Sequence, residues 1–359
     1  MITKEQNRLH ILNGVLERYW TMKEAAPSLG VSERQGWRLL AAYQREGARG
    51  LVHQNRGRVP PNATPGDIRQ QVVALAQQRY SGINHTHLTE LLAEREGVML
   101  PRPTVRRLLI RGGLTSPRQR RPPRHRCRRQ RMPQEGMLLQ LDGSHHLWLE
   151  DRWPWLTLLL AVDDATGKAP HALFQEQEDT RGYLSLLQGI IERLGVPMAV
   201  YTDRHAVFQS RRSPSDRSPV RQKGPSTQWG RDLGELGITQ ILAHSPEAKG
   251  RVERANGTFQ DRLVAELRLA DACTLEKANQ VLAEFLPRFN QRFGVPADQP
   301  ELAYRPVDPE LDLGGVLCIK ELRRVAKDNT VQYHGRTLQL YPGTKRPQLW
   351  AGTTLGDSS

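Results

Sequence analysis

The sequence predicts a multidomain fold: all-α helix-turn-helix units at the N-terminus, a central α/β domain and a small C-terminal β domain. Three observations predict it. Helical periodicity with recognisable caps fills the first third of the chain. From Gly136 onward, short apolar runs alternate with amphipathic segments, which is the order of an α/β domain. A last pair of short runs flanks a turn at His334–Gly335. At roughly 100–200 residues per domain, a chain of 359 residues holds two or three such units.

The first unit spans residues 1–54. Thr21 and Glu24 have the spacing of a capping box, and the helix they open carries Ala25, Ala26 and Leu29. Gly30 and Val31 make a turn. Ser32 and Gln35 repeat the capping spacing and open a second helix with Trp37, Leu40, Ala41 and Tyr43, closed by Gly47. In a unit of this kind the second helix enters the major groove of DNA, which aims Arg34 and Arg38 at it. Two residues fit the pattern poorly. Pro27 falls inside the first helix, and Gly36 costs the second about 1 kcal/mol relative to Ala.

Residues 65–114 form a second helical unit. Ile68, Val72 and Val73 line one face, and Thr86 caps a helix bearing Leu88, Leu91 and Leu92. Pro103–Thr104 starts another, decorated by Arg102, Arg106 and Arg107 and ending at Gly112–Gly113. Histidines 85 and 87 have no CxxC downstream to complete a zinc site.

Charge separates the chain into two parts. Residues 1–135 hold 25 basic against 10 acidic side chains, whereas the remainder holds 27 against 28, so the whole excess of +14 lies in the first third. Such a block points to a polyanion partner. It peaks in the linker, residues 115–135, where Arg118, Arg120, Arg121, Arg124, Arg126, Arg128 and Arg129 crowd around Pro122–Pro123. An extended segment of this kind tracks a phosphate backbone and releases its counterions.

The central domain covers residues 136–295. Strands are expected at Met137–Asp142, Trp155–Asp163, Ala169–Gln175, Met198–Thr202 and Ile238–Ala243. Asp179 caps a helix closed by Gly195, and two long helices follow at Lys249–Leu269 and Thr274–Phe293. Ser210–Gly230 reads as a Ser/Pro/Arg-rich inserted loop. Residues 315–350 contain a β-hairpin, Leu322–Leu340, of a partial barrel, and the final GTTLGDSS is unlike a strand.

Several classes are excluded. No run approaches the roughly 18–20 apolar residues that span a bilayer. Met1–His10 has no apolar signal core, so a cytoplasmic, nucleoid-associated location is expected. Cys127, Cys273 and Cys318 are far apart and make neither a disulfide framework nor a cysteine zinc site.

The chemistry lies in three acids. Asp142 in LQLDGSHH and Asp203 in VYTDRHAVF end short apolar strands, and Glu253 stands near the start of a long helix on its polar side, with Asn256 and Gln260. Carboxylate oxygens suit hard divalent cations, and two such ions roughly 4 Å apart serve an in-line displacement at phosphorus. Lys249, Arg251 and Arg254 flank Glu253 and suit DNA phosphate. Asp163 and Asp164 read as turn formers; Trp148, Trp153 and Trp155 read as core.

At LDGSHHLW, YTDRHAVF and SPEAKGRVERANGT with the following QDRL, the sequence resembles the integrase-core DDE transposases of bacterial insertion sequences, relatives of retroviral integrases. The resemblance covers roughly residues 15–345. It implies an RNase H-like core with Asp142 and Asp203 on adjacent central strands and Glu253 on the following helix. It also implies two Mg²⁺ ions per active site (Mn²⁺ as substitute), nicking of element ends, and attack by the freed 3′-OH on target DNA. Double-stranded DNA, as terminal inverted repeats and target, is the implied partner, held by a dimer or larger homo-oligomer. Glu247 competes with Glu253 as third ligand and ranks below it. Two other functions stay open: a catalytically silent DNA-binding protein, and an RNase H-like nuclease that cuts without joining.

Overall fold

The computed structural model describes residues 3–52, 60, 61, 63–117, 129–209, 227–243, 249–321, 323–333, 335–341, 355 and 356. The chain divides into two compact units, 1–69 and 70–359.

The first unit contains α1 (Thr3–Leu16), α2 (Met22–Leu29) and α3 (Glu33–Glu46), followed by a 3-10 turn at Gly47–Leu51. Its core is Leu12, Met22, Ala25, Leu29, Leu40 and Leu51. The capping box at Thr21 is complete: its hydroxyl accepts from the Glu24 amide, and the Glu24 carboxylate accepts from the Thr21 amide at 2.9 Å. Pro27 stands inside α2, in its last turn, three residues before Gly30 ends the helix in the left-handed conformation. Gly36 has a packing reason. A Cβ there would lie 2.5 Å from the Met22 sulfur, so any larger residue would make the Met22 side chain shift where α2 and α3 pack.

The division falls within α4 (Gly66–Gln78). It is followed by α5 (His85–Glu96) and α6 (Arg102–Arg111). The cap of α5 is Asn84 rather than the expected Thr86, its carbonyl oxygen accepting from the amides of Thr86 and His87, both at 3.0 Å. Next come β1 (Leu139–His146), β2 (Leu156–Asp163), β3 (Ala172–Gln175), α7 (Thr180–Leu194) and β4 (Ala199–Thr202). Then follow α8 (Gln228–Glu235), β5 (Thr239–Leu242), α9 (Gly250–Leu269) and α10 (Leu275–Phe293). The remaining elements are α11 (Leu313–Val316), β6 (Lys320–Glu321), β7 (Thr330–Tyr333), β8 (Arg336–Gln339) and β9 (Leu355–Gly356).

The five longer-range strands make one mixed sheet in the order β3-β2-β1-β4-β5. The pairs β1–β2 and β2–β3 are antiparallel, and β1–β4 and β4–β5 are parallel. One face carries α9 and α10 through Phe259, Leu263, Phe285 and Phe289; the other carries α7 and α8 through Tyr183, Leu187, Ile190 and Trp229. With helices on both faces, all eight residues of β2 are buried.

Three expectations are corrected. β1 continues four residues past Asp142, because Gly143–His146 keep pairing with β2. Gln228–Gly230 belong to α8, capped by Thr227, rather than to a loop; residues 210–226 of that insertion lie outside the described residues. Leu355–Gly356, expected to be unlike a strand, pair with Lys320–Glu321. Among the described residues no helix is long and apolar enough to cross a membrane.

Candidate active site

The site forms where two strands part. β1 pairs with β4 only at Leu139↔Val200 and Gln140↔Tyr201, while it stays paired with β2 as far as His146. Asp142 therefore stands just beyond the parallel ladder on one side of the opening, and Asp203, directly after β4, stands on the other. Openings at the carboxyl ends of parallel strands are where α/β sheets place ligands.

Helix α9 closes the opening from one face, and its match to β1 has a simple geometric cause. Gln140, Asp142 and Ser144 share one face of the strand because side chains alternate. The Val252 amide donates to Gln140 Oε1 at 3.2 Å, Asn256 Nδ2 to Asp142 Oδ2 at 2.7 Å, and Gln260 Nε2 to Ser144 Oγ at 3.0 Å. Four helical residues rise about 6 Å and two strand residues about 6.6 Å, so successive rungs stay in step.

At the head of this helix Lys249 turns inward. Its ammonium donates to Asp142 Oδ1 at 2.6 Å and lies 3.6 Å from Asp203 Oδ2. Only 4% of the residue is exposed. The structure thus brings Asp142 and Asp203 together around one cation. Glu253 is exposed, on the same flank of α9 as Lys249 four residues before and Asn256 three after. Among the described residues no hydrogen bond or ion pair joins Glu253 to either aspartate, and no three acidic, histidine or cysteine side chains form a ready metal cluster. Glu247 lies outside the described residues.

Electrostatically the pocket is short of positive charge. Burial pushes the Asp142 carboxyl above the ordinary value of 3.8; Lys249 opposes that rise, and Asp203 and Glu178 add to it. Glu178 is a carboxylate the sequence reading missed. It packs against Gly143, where a Cβ would meet its Oε2 at 2.5 Å, and it accepts a 2.6 Å hydrogen bond from the buried Tyr183 hydroxyl. Burial, with Glu178 next, holds that phenol well above its ordinary range. The one sequence signal for Glu178 is an acid immediately before the Asp179 cap of α7, and that signal is local to the helix.

The donor set suits a divalent cation. It consists of hard carboxylate oxygens already gathered around a positive charge, next to Asn256 Oδ1, a buried oxygen with no hydrogen-bond partner among the described residues. The Asp203 side chain is further fixed by the His205 amide, which donates to Oδ1 at 2.9 Å.

The basic residues divide. Arg34 and Arg38 on α3, Arg102, Arg106 and Arg107 on α6, and Arg254 on α9 are exposed. Arg251 is turned inward. It donates to Asp164 Oδ1 at 2.7 Å and to the Arg129 carbonyl at 2.9 Å. Arg129 itself pairs with Asp164. Gln140 Nε2 donates to the same carboxylate at 2.7 Å, so fully buried Asp164 ties the linker end, β1 and α9 together. Asp163 accepts from the amides of Thr166 and Gly136 and serves the turn. Arg118, Arg120, Arg121, Arg124, Arg126 and Arg128 lie outside the described residues. Trp148 is core, whereas Trp155 is more than half exposed and stacks on His145, contrary to the expectation that it is core.

Residues 2–81 match the family model described as the leucine-zipper of insertion element IS481. In this chain the described part of that stretch is the succession of helices α1 to α4. The chain is 35% identical over 343 residues to transposase y4bF of Sinorhizobium fredii, covering 95% of this chain and 73% of that protein. It is 33% identical over 324 residues to the transposase for insertion sequence IS1202 of Streptococcus pneumoniae, covering 81% and 68%. The chain belongs to the transposases of bacterial insertion sequences. Among solved structures, a simian T-cell lymphotropic virus intasome in complex with PP2A regulatory subunit B56 gamma is similar at TM-score 0.36 and 17% identity, over 78% of this chain and 87% of that one. The HTLV-2 integrase catalytic core in complex with magnesium is similar at TM-score 0.30 and 19% identity, over 42% and 84%.

Proposed function

We propose that this transposase nicks the ends of its element and joins the freed 3′-OH to target DNA, with Asp142, Asp203 and Glu253 as its catalytic acids on an RNase H-like core. The observation that carries the reading is the meeting of Asp142 and Asp203 across the β1/β4 opening around one buried cation.

In this reading Asp142 and Asp203 hold the metal, Asn256 fixes the unused oxygen of Asp142, and Glu253 completes the set from the flank of α9. Two Mg²⁺ ions, or Mn²⁺ in their place, would supply polarisation of the phosphoryl oxygen and a more acidic attacking hydroxyl. Water attacks phosphorus at the element end, the P–O bond to the 3′ oxygen breaks, and that oxygen leaves as a 3′-OH. The 3′-OH then attacks a target phosphorus and displaces the target's own 3′ oxygen. One P–O bond forms as another breaks, so no energy source and no covalent protein–DNA intermediate is needed.

Recognition is assigned to the arginines outside the acid site. Arg34 and Arg38, with Arg102, Arg106 and Arg107, suit terminal inverted repeats, with residues 1–54 and 65–114 as helix-turn-helix units. Arg118, Arg120, Arg121, Arg124, Arg126, Arg128 and Arg129, in the linker 115–135, suit backbone phosphate beside the core 136–295, as does Arg254. Residues 315–350 assist on DNA. Joining two ends in one event calls for a dimer or larger assembly.

The test is a Mg²⁺-dependent assay on DNA flanking the gene, with the wild type, Asp142→Asn, Asp203→Asn and Glu253→Gln. Nicked and joined products from the wild type alone support the reading. Nicks without joined products would point to a nuclease. Specific binding with no cleavage by any of the proteins would leave a silent DNA-binding protein.

A further inference from the structure

Lys249 was expected to reach DNA phosphate, yet its ammonium is spent inside the site. It stands where a cation shared by Asp142 and Asp203 has to stand, 2.6 Å and 3.6 Å from their oxygens. A divalent ion bound to Asp142 Oδ1 would lie within a few ångströms of that ammonium, and like charges at such spacing repel strongly in a buried setting. The other oxygen, Oδ2, is occupied by Asn256, a neutral donor. Entry of a metal at Asp142 therefore requires the ammonium to leave.

The residue is suited to leaving. Lysine carries its charge on a flexible four-carbon stem, unlike the planar fork of arginine. Lys249 is the N-cap residue of α9, with its side chain at the head of the helix instead of locked among its turns. Its neighbours Arg251 and Asp164 show the contrasting arrangement: a guanidinium bound to a carboxylate that has three further donors.

We propose that Lys249 is an internal counter-ion of the acid site, displaced when a divalent cation binds and then free to pair with backbone phosphate. The proposal rests on the reading of Asp142 and Asp203 as metal ligands. It adds a coupling between ligands. DNA that offers Lys249 a phosphate favours metal loading, and by reciprocity bound metal favours DNA. Metal would then load poorly on free protein and well on the DNA complex.

The test measures Mn²⁺ binding by calorimetry on the full chain, without DNA, for the wild type, Lys249→Met and Asp142→Asn. Lys249→Met keeps the length of the side chain and removes the charge. The expected result is binding tighter by about tenfold, or about 1.4 kcal/mol, in Lys249→Met. In addition, a short duplex should tighten Mn²⁺ binding by the wild type and leave Lys249→Met unchanged. Equal affinities for the two proteins, with binding abolished in Asp142→Asn, would overturn the counter-ion role and leave the metal reading standing. Binding that survives Asp142→Asn, or is absent from the wild type and Lys249→Met alike, would overturn both. A measurement on the wild type needs no variant to fold. Lys249 should resist reductive methylation in EDTA and react once Mn²⁺ is added, as read by mass spectrometry; equal reactivity would also defeat the proposal.

Discussion

Helix α9 meets two carboxylate clusters, one at each end, and they are charged in opposite senses. Toward its C-terminal end, Glu266 is 3% exposed and meets His87 at 3.2 Å, Arg95 at 2.6 Å and Arg288 at 3.4 Å. Toward its N-terminal end the helix faces Asp142, which shares the single ammonium of Lys249 with Asp203 and has Glu178 nearby. Burial raises the proton affinity of both acids. At Glu266 the surrounding His87, Arg288 and Arg95 overcome it, and the carboxyl is held below 4.5. At Asp142 one cation among several acids does not, and the carboxyl stays above 3.8. The first cluster is a closed joint that docks α5 on α9 and α10, reinforced by Asn84 on Asp261 at 2.8 Å and Glu90 against Arg262 and Arg292. The second is left short of positive charge, which is what the metal-holding role proposed for it calls for.

The contrast breaks first on Asp142→Asn. Cleavage and joining should fall by about a thousandfold or more, roughly 4 kcal/mol of activation free energy, while folding stability in EDTA changes by about 1 kcal/mol or less. A variant that instead unfolded would make Asp142 part of the scaffold. Glu266→Leu should behave in the reverse way. It strands Arg95, Arg288 and His87 and should cost about 3 kcal/mol in urea denaturation, with activity retained at low temperature. Loss of activity at full stability would end the comparison.

Acid titration sharpens it further. A carboxyl whose folded pKa is depressed adds stability that is complete above its unfolded value of 4.5 and is lost as pH falls through the folded one, which places Glu266 in the acid limb of the stability curve. Asp142 has the opposite sign. Its raised pKa means that stability is lost as pH rises from 3.8 through the folded value, so acid relieves it. Thermal midpoints followed between about pH 6 and pH 3 should therefore flatten in Glu266→Gln and keep their acid limb in Asp142→Asn. The smallest effect is expected for Tyr183→Phe, which frees Glu178 from a 2.6 Å hydrogen bond at a cost of about 1 kcal/mol. A loss of activity as deep as that of Asp142→Asn would move Glu178 into the catalytic set.

Local chemistry made many elements legible. The Asp179 cap and Gly195 end of α7 and the capping box at Thr21 are read from a few adjacent residues, because caps satisfy amides within one turn. The α5 cap was misplaced for the same reason. Asn84 and Thr86 are both competent, and backbone geometry chose between them. The end of β1 differs from the expectation because Ser144, His145 and His146 look like a polar turn; it is the pairing with β2, the next strand, that keeps them extended.

By itself the sequence determined which acids are candidates, that the excess charge sits in the first third, and where most of the longer helices and central strands lie. These follow from periodicity, capping and composition, which act over a few residues. Only the tertiary structure decided the partners of the charges. It turned Lys249 and Arg251 inward, added Glu178 beside an aspartate 36 residues away and surrounded Glu266 with basic side chains from two other helices, α5 and α10. Coulomb energy and desolvation depend on distance in space, and the fold sets that distance independently of separation along the chain.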